Sequence, residues 1–307
     1  MIAVSLSRVS VGMPVWNCER TLEMAIRSIQ RQTYENWELL LMDDGSADRS
    51  MEIARSFGDA RIRVAGDNVQ RGLSWRLNEA IAVSTGRYFA RMDGDDVAYP
   101  ERLERQIHYL EEHPEVDLLG AGILVFKGNG RALGTRTNLQ THEEICRRPW
   151  SGFYLPHPTW MGRTAWFRQH LYRPGAIRME DQDLMFRTYQ TSRFASMPDI
   201  LVGYREDSFS LRKALTGRFH FVKLLTGGSR LRAQDLIAWR GITDQTLKAL
   251  VEVFAVASGL NYRVLRHRAR PLENSELRRW QEVWQALMHP GANGNLAKAS
   301  VTAISHQ

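Results

Sequence analysis

WELLLMDDGS, Trp37 to Ser46, is the stretch that decides the fold. Trp37 to Met42 is almost continuously apolar, the pattern of a strand covered on both faces in a parallel sheet. Asp43-Asp44-Gly45-Ser46 then ends it abruptly. A second junction of the same kind is YFARMDGDD, Tyr88 to Asp96, where a short strand signal runs into Asp93-Gly94-Asp95-Asp96. In open α/β sheets ligands bind beyond the carboxyl ends of the strands. Acidic clusters at two such ends are therefore the most informative placement in the chain.

Working outward, Val9–Val15 is a short β-type run ended by Pro14 and Asn17. Thr21 to Gln32 carries Leu22, Ala25, Ile26 and Ile29 at helical spacing. Ser46 or Asp48 is placed to cap the next helix, which Gly58 closes. Ile62–Val64 reads as strand, Leu73–Val83 as helix and Tyr88–Met92 as strand. Pro100 fits the first turn of a helix that Pro114 ends, and Val116–Phe126 is a further strand containing glycines. Strands alternating with helices of about a dozen residues predict an open α/β sheet of βαβ units. From Leu211 onward the pattern is helical and basic. No repeat or low-complexity segment is present, and the end beyond Pro290 is small and polar.

The 307 residues suffice for one large domain or a catalytic domain with an appendage. A composition 43% hydrophobic and 24% charged is that of a folded globular chain. Cys18 and Cys146 lie far apart with no CxxC pair, which argues against a disulfide framework or a structural zinc and for a reducing compartment. The opening MIAVSLSRVSVG lacks a charged region followed by a long apolar run, so no signal peptide is expected. Ala249 to Leu260, interrupted by Glu252, is too short to span a bilayer. The net charge of +7 is uneven: 16 Lys/Arg face 8 Asp/Glu from Arg205 onward, against 25 and 26 before it. The basic character belongs to the last third.

Three carboxylates within four residues, Asp93, Asp95 and Asp96, repel each other unless a cation sits among them. Mg²⁺ or Mn²⁺ takes oxygen ligands, often one or two from protein and the rest from water and substrate phosphate. Asp93-x-Asp95 thus reads as half of a metal–diphosphate site, or equally as a solvated turn feeding the Pro100 helix. Asp44 is placed to accept hydrogen bonds from a nucleobase or ribose, while Asp-Gly-Ser is also ordinary turn chemistry. Glu180-Asp181-Gln182-Asp183 opens a helix running through Leu184, Phe186 and Tyr189. Its acids either complement the helix dipole or include a general base for an acceptor hydroxyl.

Pro14-Val15-Trp16-Asn17, Leu22 to Ile29, Gln32-Thr33-Tyr34, Trp37-Glu38 and Asp43-Asp44-Gly45-Ser46 together resemble the opening of family 2 glycosyltransferases. The series continues in order through Gly72, Leu77-Asn78, Ala82, Gly86-Arg87-Tyr88, Arg91 to Asp96, Pro100 to Leu103 and His113-Pro114-Glu115. It ends with Pro156 to Thr159 and Glu180 to Leu184, covering roughly residues 8 to 210. The resemblance implies a GT-A-like α/β fold, a Rossmann-like mixed sheet flanked by helices. The expected division is a catalytic domain over 1–210, nucleotide-sugar half about 8–125 and acceptor half about 126–210, then a basic helical region over 211–307. It also implies inverting transfer from a nucleotide-diphosphate sugar, UDP by family habit, to a glycan or lipid-linked hydroxyl.

Carried over by position, Pro14, Val15, Trp16 and Asn17 touch the nucleotide and Asp44 holds the base. Arg71 faces the nucleotide, Asp93 meets the ribose or metal, Asp95 ligates Mn²⁺ or Mg²⁺, and Asp181 is the base, with Glu180 as the alternative or as an acceptor ligand. One departure stands out: many relatives carry Tyr-Arg-x-His, and Tyr204-Arg205-Glu206-Asp207 has Asp207 where that histidine would fall. His157, between two prolines, reads as structural or acceptor-side.

The basic end, with Arg212, Lys213, Arg218 and Lys223 and later Arg278, Arg279, Trp280 and Trp284, reads in two ways. It suits a helical surface lying on an anionic membrane, or a helical appendage with a solvated basic face. Nucleic acid is not an expected partner, since no binding motif is present. The expected location is cytoplasmic or peripheral on the inner face of the cell membrane. The rival function is a catalytically silent nucleotide-binding scaffold or a nucleic-acid-associated protein. A dinucleotide oxidoreductase lacks its GxGxxG, since the first strand carries Gly12-Met13-Pro14.

Overall fold

The computed structural model describes residues 7–136, 139–208, 210–227, 235–260 and 270–289. β1 (Val9–Val15) lies between β2 (Trp37–Asp43) and β4 (Tyr88–Arg91), with β3 (Ile62–Gly66) outside β2, all parallel. β2 is buried at every position, as its nearly continuous apolar run requires, with Glu38 accommodated by Ser10 Oγ at 2.6 Å and the Thr85 N–H at 2.7 Å. The crossovers are α1 (Leu22–Gln30), α2 (Ser50–Ser56) and α3 (Leu73–Val83). α1 buries Leu22, Ala25, Ile26 and Ile29, the residues its spacing singled out. The chain runs β1, β2, β3 to one side and returns to β4 on the other, so order reverses at β1. That reversal opens a crevice at the carboxyl ends of β1, β2 and β4.

Beyond β4 the sheet turns mixed. The order is β3-β2-β1-β4-β8-β6-β9-β5, with β5 (Val97–Ala98), β6 (Leu118–Phe126), β8 (Met161–Arg163) and β9 (Phe194–Arg205), and β7 (Ala132–Arg136) pairs with β6. β8 is antiparallel to both β4 and β6, whereas β6 and β9 are parallel. Helices α4 (Arg102–Glu112), α5 (His142–Ile145), α6 (Thr164–Gln169) and α7 (Glu180–Thr188) flank this half.

Two local readings sharpen. Neither capping candidate occupies the N-cap of α2, which is Arg49 without a side-chain cap, although Asp48 Oδ1 accepts the Ser50 N–H at 3.0 Å just ahead of it. Ser46 instead accepts the Asn17 N–H. α4 begins at Arg102 rather than Pro100, because the Pro100 carbonyl accepts the Thr33 N–H in the preceding turn.

The C-terminal third forms α8 (Leu211–Leu225), α9 (Leu236–Ala257) and α10 (Asn274–Met288). α10 seats Trp280, Val283 and Leu287 among Val97, Tyr99, Leu124 and Phe126. Trp280 Nε1 donates to the Gly130 carbonyl at 2.8 Å. A Cβ on Gly203 of β9 would lie 2.5 Å from the Trp280 ring, so glycine there makes the seat. Trp280, grouped by sequence with an aromatic-basic surface, is thus a core residue packed on the sheet. α8 and α9 form a hairpin closed by Arg218 on Glu252 at 2.6 Å. Arg230, Arg232, Arg263, Arg266 and Arg268 lie outside the described residues. Among the described residues no helix is long and apolar enough to cross a membrane.

Candidate functional site

Three neighbouring strand ends build the site. Pro14 is half-buried and the Val15 side chain lies in the core. The Val15 carbonyl accepts the Asp44 N–H at 2.8 Å. Trp16 stands 52% exposed on the rim. Asn17 adopts a positive φ of 51°, a conformation asparagine tolerates better than most residues. Its Oδ1 accepts the Ala47 N–H and its own N–H meets Ser46, stapling the β1 and β2 loops together.

Asp44 is buried and accepts the backbone N–H groups of Arg71 (2.7 Å) and Gly72 (3.0 Å) and Arg76 Nε (3.0 Å). The Arg71 side chain turns away to Asp67 at 2.6 Å and over the Trp75 ring. Arg76, which the sequence reading missed, is 1% exposed and also holds Asp67 and Glu79. It fixes the β3–α3 loop onto the end of β2. Removing one partner of a buried pair leaves an uncompensated charge. Arg76→Ala is expected to cost on the order of 3 kcal/mol, the low end because two amides remain on Asp44. Urea denaturation checks it, and an unchanged midpoint would deny the network its structural role.

At the end of β4, oxygens of Asp93, Asp95 and Asp96 lie within 4.8 Å of one another. Behind them sit two buried guanidiniums. Arg91 pairs with Asp93, and Arg102 donates to the Arg91 carbonyl at 2.7 Å. Burial and the neighbouring Arg91 push Arg102 down to about 9. Asp95 is reached by solvent yet ringed by protein, and that burial together with Asp93 pushes its carboxyl up to about 6. Asp96 is raised further by burial and by Asp95 and Asp93. Its Oδ1 accepts the Arg205 N–H at 2.9 Å, while its Oδ2 is buried without a hydrogen-bond partner. Crowded hard oxygens, raised pKa values and an orphaned carboxylate oxygen fit a divalent cation.

Glu180 and Asp181 open α7 and are half-buried. Burial raises both carboxyls, most directly favouring their neutral forms. Gln182 exchanges hydrogen bonds with the Phe153 backbone at 2.8 and 3.0 Å and donates to Asp181 Oδ2 at 3.0 Å. Gln182 therefore orients Asp181. Arg91, paired with Asp93, also favours the charged forms of Glu180 and Asp181, an effect smaller than the burial that raises both. His157 is held neutral by burial and by Arg91, and its Nε2 meets the Tyr172 hydroxyl at 2.8 Å beside Trp160.

Asp207 does not join the acid cluster: its Oδ1 accepts the Gly128 N–H at 2.7 Å in the β6–β7 turn. Arg205 does reach the site, its Nε donating to the Asp95 carbonyl at 2.9 Å. Arg91, Gln182 and Arg205 were absent from the sequence-derived site. An arginine inside an otherwise apolar strand, immediately before three acids, was the one readable signal.

The mixed sheet with acids at its switch point is the GT-A fold of the solved structures it resembles. The sequence profile of Glycosyl transferase family 2 matches residues 10–171, and the chain belongs to that family. It is 37% identical over 213 residues to EpsE of Bacillus subtilis, a protein carried under a glycosyltransferase name, covering 67% of this chain and 76% of that one. It is 38% identical over 99 residues to the Escherichia coli UDP-Glc:alpha-D-GlcNAc-diphosphoundecaprenol beta-1,3-glucosyltransferase WfgD, 32% of this chain and 39% of the relative. Among solved structures, S. aureus TarS 1-349 with UDP-GlcNAc superposes with a TM-score of 0.60 at 16% identity, covering 92% and 81% of the two chains. The mannosyltransferase PcManGT of Pyrobaculum calidifontis, with GDP-Man and Mn²⁺, gives 0.56 at 13% identity, covering 94% and 89%.

Proposed function

We propose that this glycosyltransferase moves a sugar from a UDP-sugar to an acceptor hydroxyl with inversion at the anomeric carbon. The observation that carries the reading is the cluster of Asp93, Asp95 and Asp96 at the switch-point strand end, with oxygens within 4.8 Å of one another. The Trp16–Asn17 loop, Asp44 and the Arg71–Gly72 backbone would hold the nucleoside, and Pro14 and Val15 would shape the floor beneath it. Asp95 and Asp93 would hold Mn²⁺ or Mg²⁺. Bound there, the cation would offset the negative charge growing on the departing diphosphate.

Asp181 takes the proton of the acceptor hydroxyl. As that oxygen bonds to the anomeric carbon, the bond from this carbon to the diphosphate oxygen breaks, and UDP leaves. An ordinary aspartate is a weak base, and the burial of Asp181 strengthens it. Gln182 holds the carboxylate in one orientation, and Glu180 binds the acceptor beside it. The acceptor is a glycan or lipid-linked saccharide. That reading is supported by the diphosphoundecaprenol acceptor in the name of the WfgD relative, and it puts the reaction at the inner face of the cell membrane.

Titration calorimetry with UDP in Mn²⁺ and then in EDTA tests the donor site. Asp95→Ala is expected to weaken Mn²⁺-dependent UDP binding at least about 100-fold, or ~2.7 kcal/mol. Equal affinity with and without the cation in both proteins would remove the metal–diphosphate reading.

A further inference from the structure

α9 is turned inside out. A surface helix ordinarily buries its large apolar side chains and exposes the polar ones. α9 instead buries small and polar residues, Ala238, Gly241, Gln245, Glu252 and Ala255. Nine of the twenty large apolar side chains exposed among the described residues lie on it. Leu247, Leu250 and Phe254 stand 62%, 61% and 70% exposed, with Leu236 and Val251 exposed alongside. Together these side chains leave on the order of several hundred Å² of apolar surface in water, the range in which a patch marks an interaction site.

The spacing says what kind of partner fits. Leu236, Arg240, Thr243, Leu247, Leu250 and Phe254 follow one another at alternating intervals of four and three residues, and all are exposed. That is the 3.5-residue repeat of a helix–helix seam. Its one charge, Arg240, is engaged within the chain, lying over the Trp150 ring at 5.3 Å. The remaining charges of α9 are also paired internally, Lys248 with Asp244 and Glu252 with Arg218, each at 2.6 Å. Two cations and two acids make α9 neutral. A helix lying on an anionic bilayer presents a surplus of Lys and Arg instead. The surplus cations of the hairpin, Arg212, Lys213 and Lys223, belong to α8. A neutral apolar seam is complementary to itself, as a two-fold interface requires of its one patch.

We propose that the outer face of α9 is a dimerisation surface whose partner is α9 of a second copy of this chain. Leu247, Leu250 and Phe254 form the centre of the contact, with Val251 beside them. The inner face of the same helix is tied to the catalytic half. Lys248 Nζ donates to the Ser151 carbonyl at 3.0 Å, and Ser151 Oγ donates to Asp244 at 3.1 Å. Ser151 precedes Phe153, whose backbone holds Gln182. The interface thus lies one helix away from the loop that positions the residue orienting Asp181. The inference stands apart from the donor chemistry and needs no turnover to test.

Sedimentation equilibrium of the full chain, without nucleotide or metal, reads the assembly. The wild-type protein is expected to be a dimer at micromolar concentration. Leu247→Glu and the milder Leu250→Ser lie at exposed positions, where folding tolerates substitution. Each should raise the dimer dissociation constant at least about 30-fold, the weight of an interface hot spot. Phe219→Ser, at an exposed position of α8, should leave it unchanged. Far-UV circular dichroism and Mn²⁺-dependent UDP binding on each variant report that the fold is intact. A wild-type monomer in the same range would overturn the proposal, as would a dimer that survives both seam substitutions. A monomer that binds phosphatidylglycerol vesicles, and loses them in Leu247→Glu, would overturn it in favour of a membrane surface. An equal weakening in Phe219→Ser would move the contact to α8, with the same consequence. Absence of UDP binding with the dimer retained would remove the donor reading and keep the interface.

Discussion

Asp181→Asn is expected to lower kcat by about 10²–10⁴, the usual contribution of a positioned general base. UDP affinity in Mn²⁺ should be unchanged, because Asp181 lies on α7 and not at the strand ends that hold the donor. The same substitution should raise thermal stability at neutral pH. Burial raises the folded-state pKa of Asp181 above its unfolded value. Above that folded pKa the ionised carboxylate is a cost to the folded state, and the cost disappears as pH falls through it and below the unfolded value. The melting-temperature gain of the variant should therefore be largest near pH 7 and vanish in acid. In the wild-type enzyme kcat/KM should fall on the acid side with an apparent pKa above the ordinary ~3.9 of aspartate, since only the deprotonated form accepts a proton. Near wild-type turnover in Asp181→Asn would move the base to Glu180, and Glu180→Gln would then be the variant that loses activity.

Trp280→Ala is expected to destabilise the protein by about 3–5 kcal/mol, the cost of truncating a fully buried tryptophan. The ring packs on Phe126 at 4.7 Å and on Tyr99 at 6.1 Å, and its Nε1 loses the Gly130 carbonyl. Gly203→Ala should act through the same seat, since its new Cβ meets the ring. Guanidinium denaturation followed by tryptophan fluorescence reads both. A variant as stable as the wild type would make α10 a detachable appendage, whereas a large loss makes it part of the sheet that carries Asp93 and Asp95.

Much of the donor half was legible because its signals are local. The strand at Trp37, the helix spacing of Leu22 to Ile29 and the acids after β2 and β4 depend on residues a few positions apart. β5 and β8, two and three residues long, are too short to show any period. β9 is broken by Pro198 and by register shifts against β6. The sequence series linked Asp44, Asp95 and Asp181 through family resemblance, but not through any visible spacing.

By itself the amino-acid sequence determined an α/β sheet with acids at its strand ends, because apolar periodicity and turn chemistry act within a single element. Tertiary structure alone decided what those acids meet. Arg205 is placed before Asp95 and Asp96, 110 and 109 residues away in sequence, and Trp280 beneath Gly203. It also decided that Asp207 closes a turn instead of joining the acid cluster. Burial and charge at these points arise only when distant segments pack, since desolvation is a property of the surroundings and not of the residue.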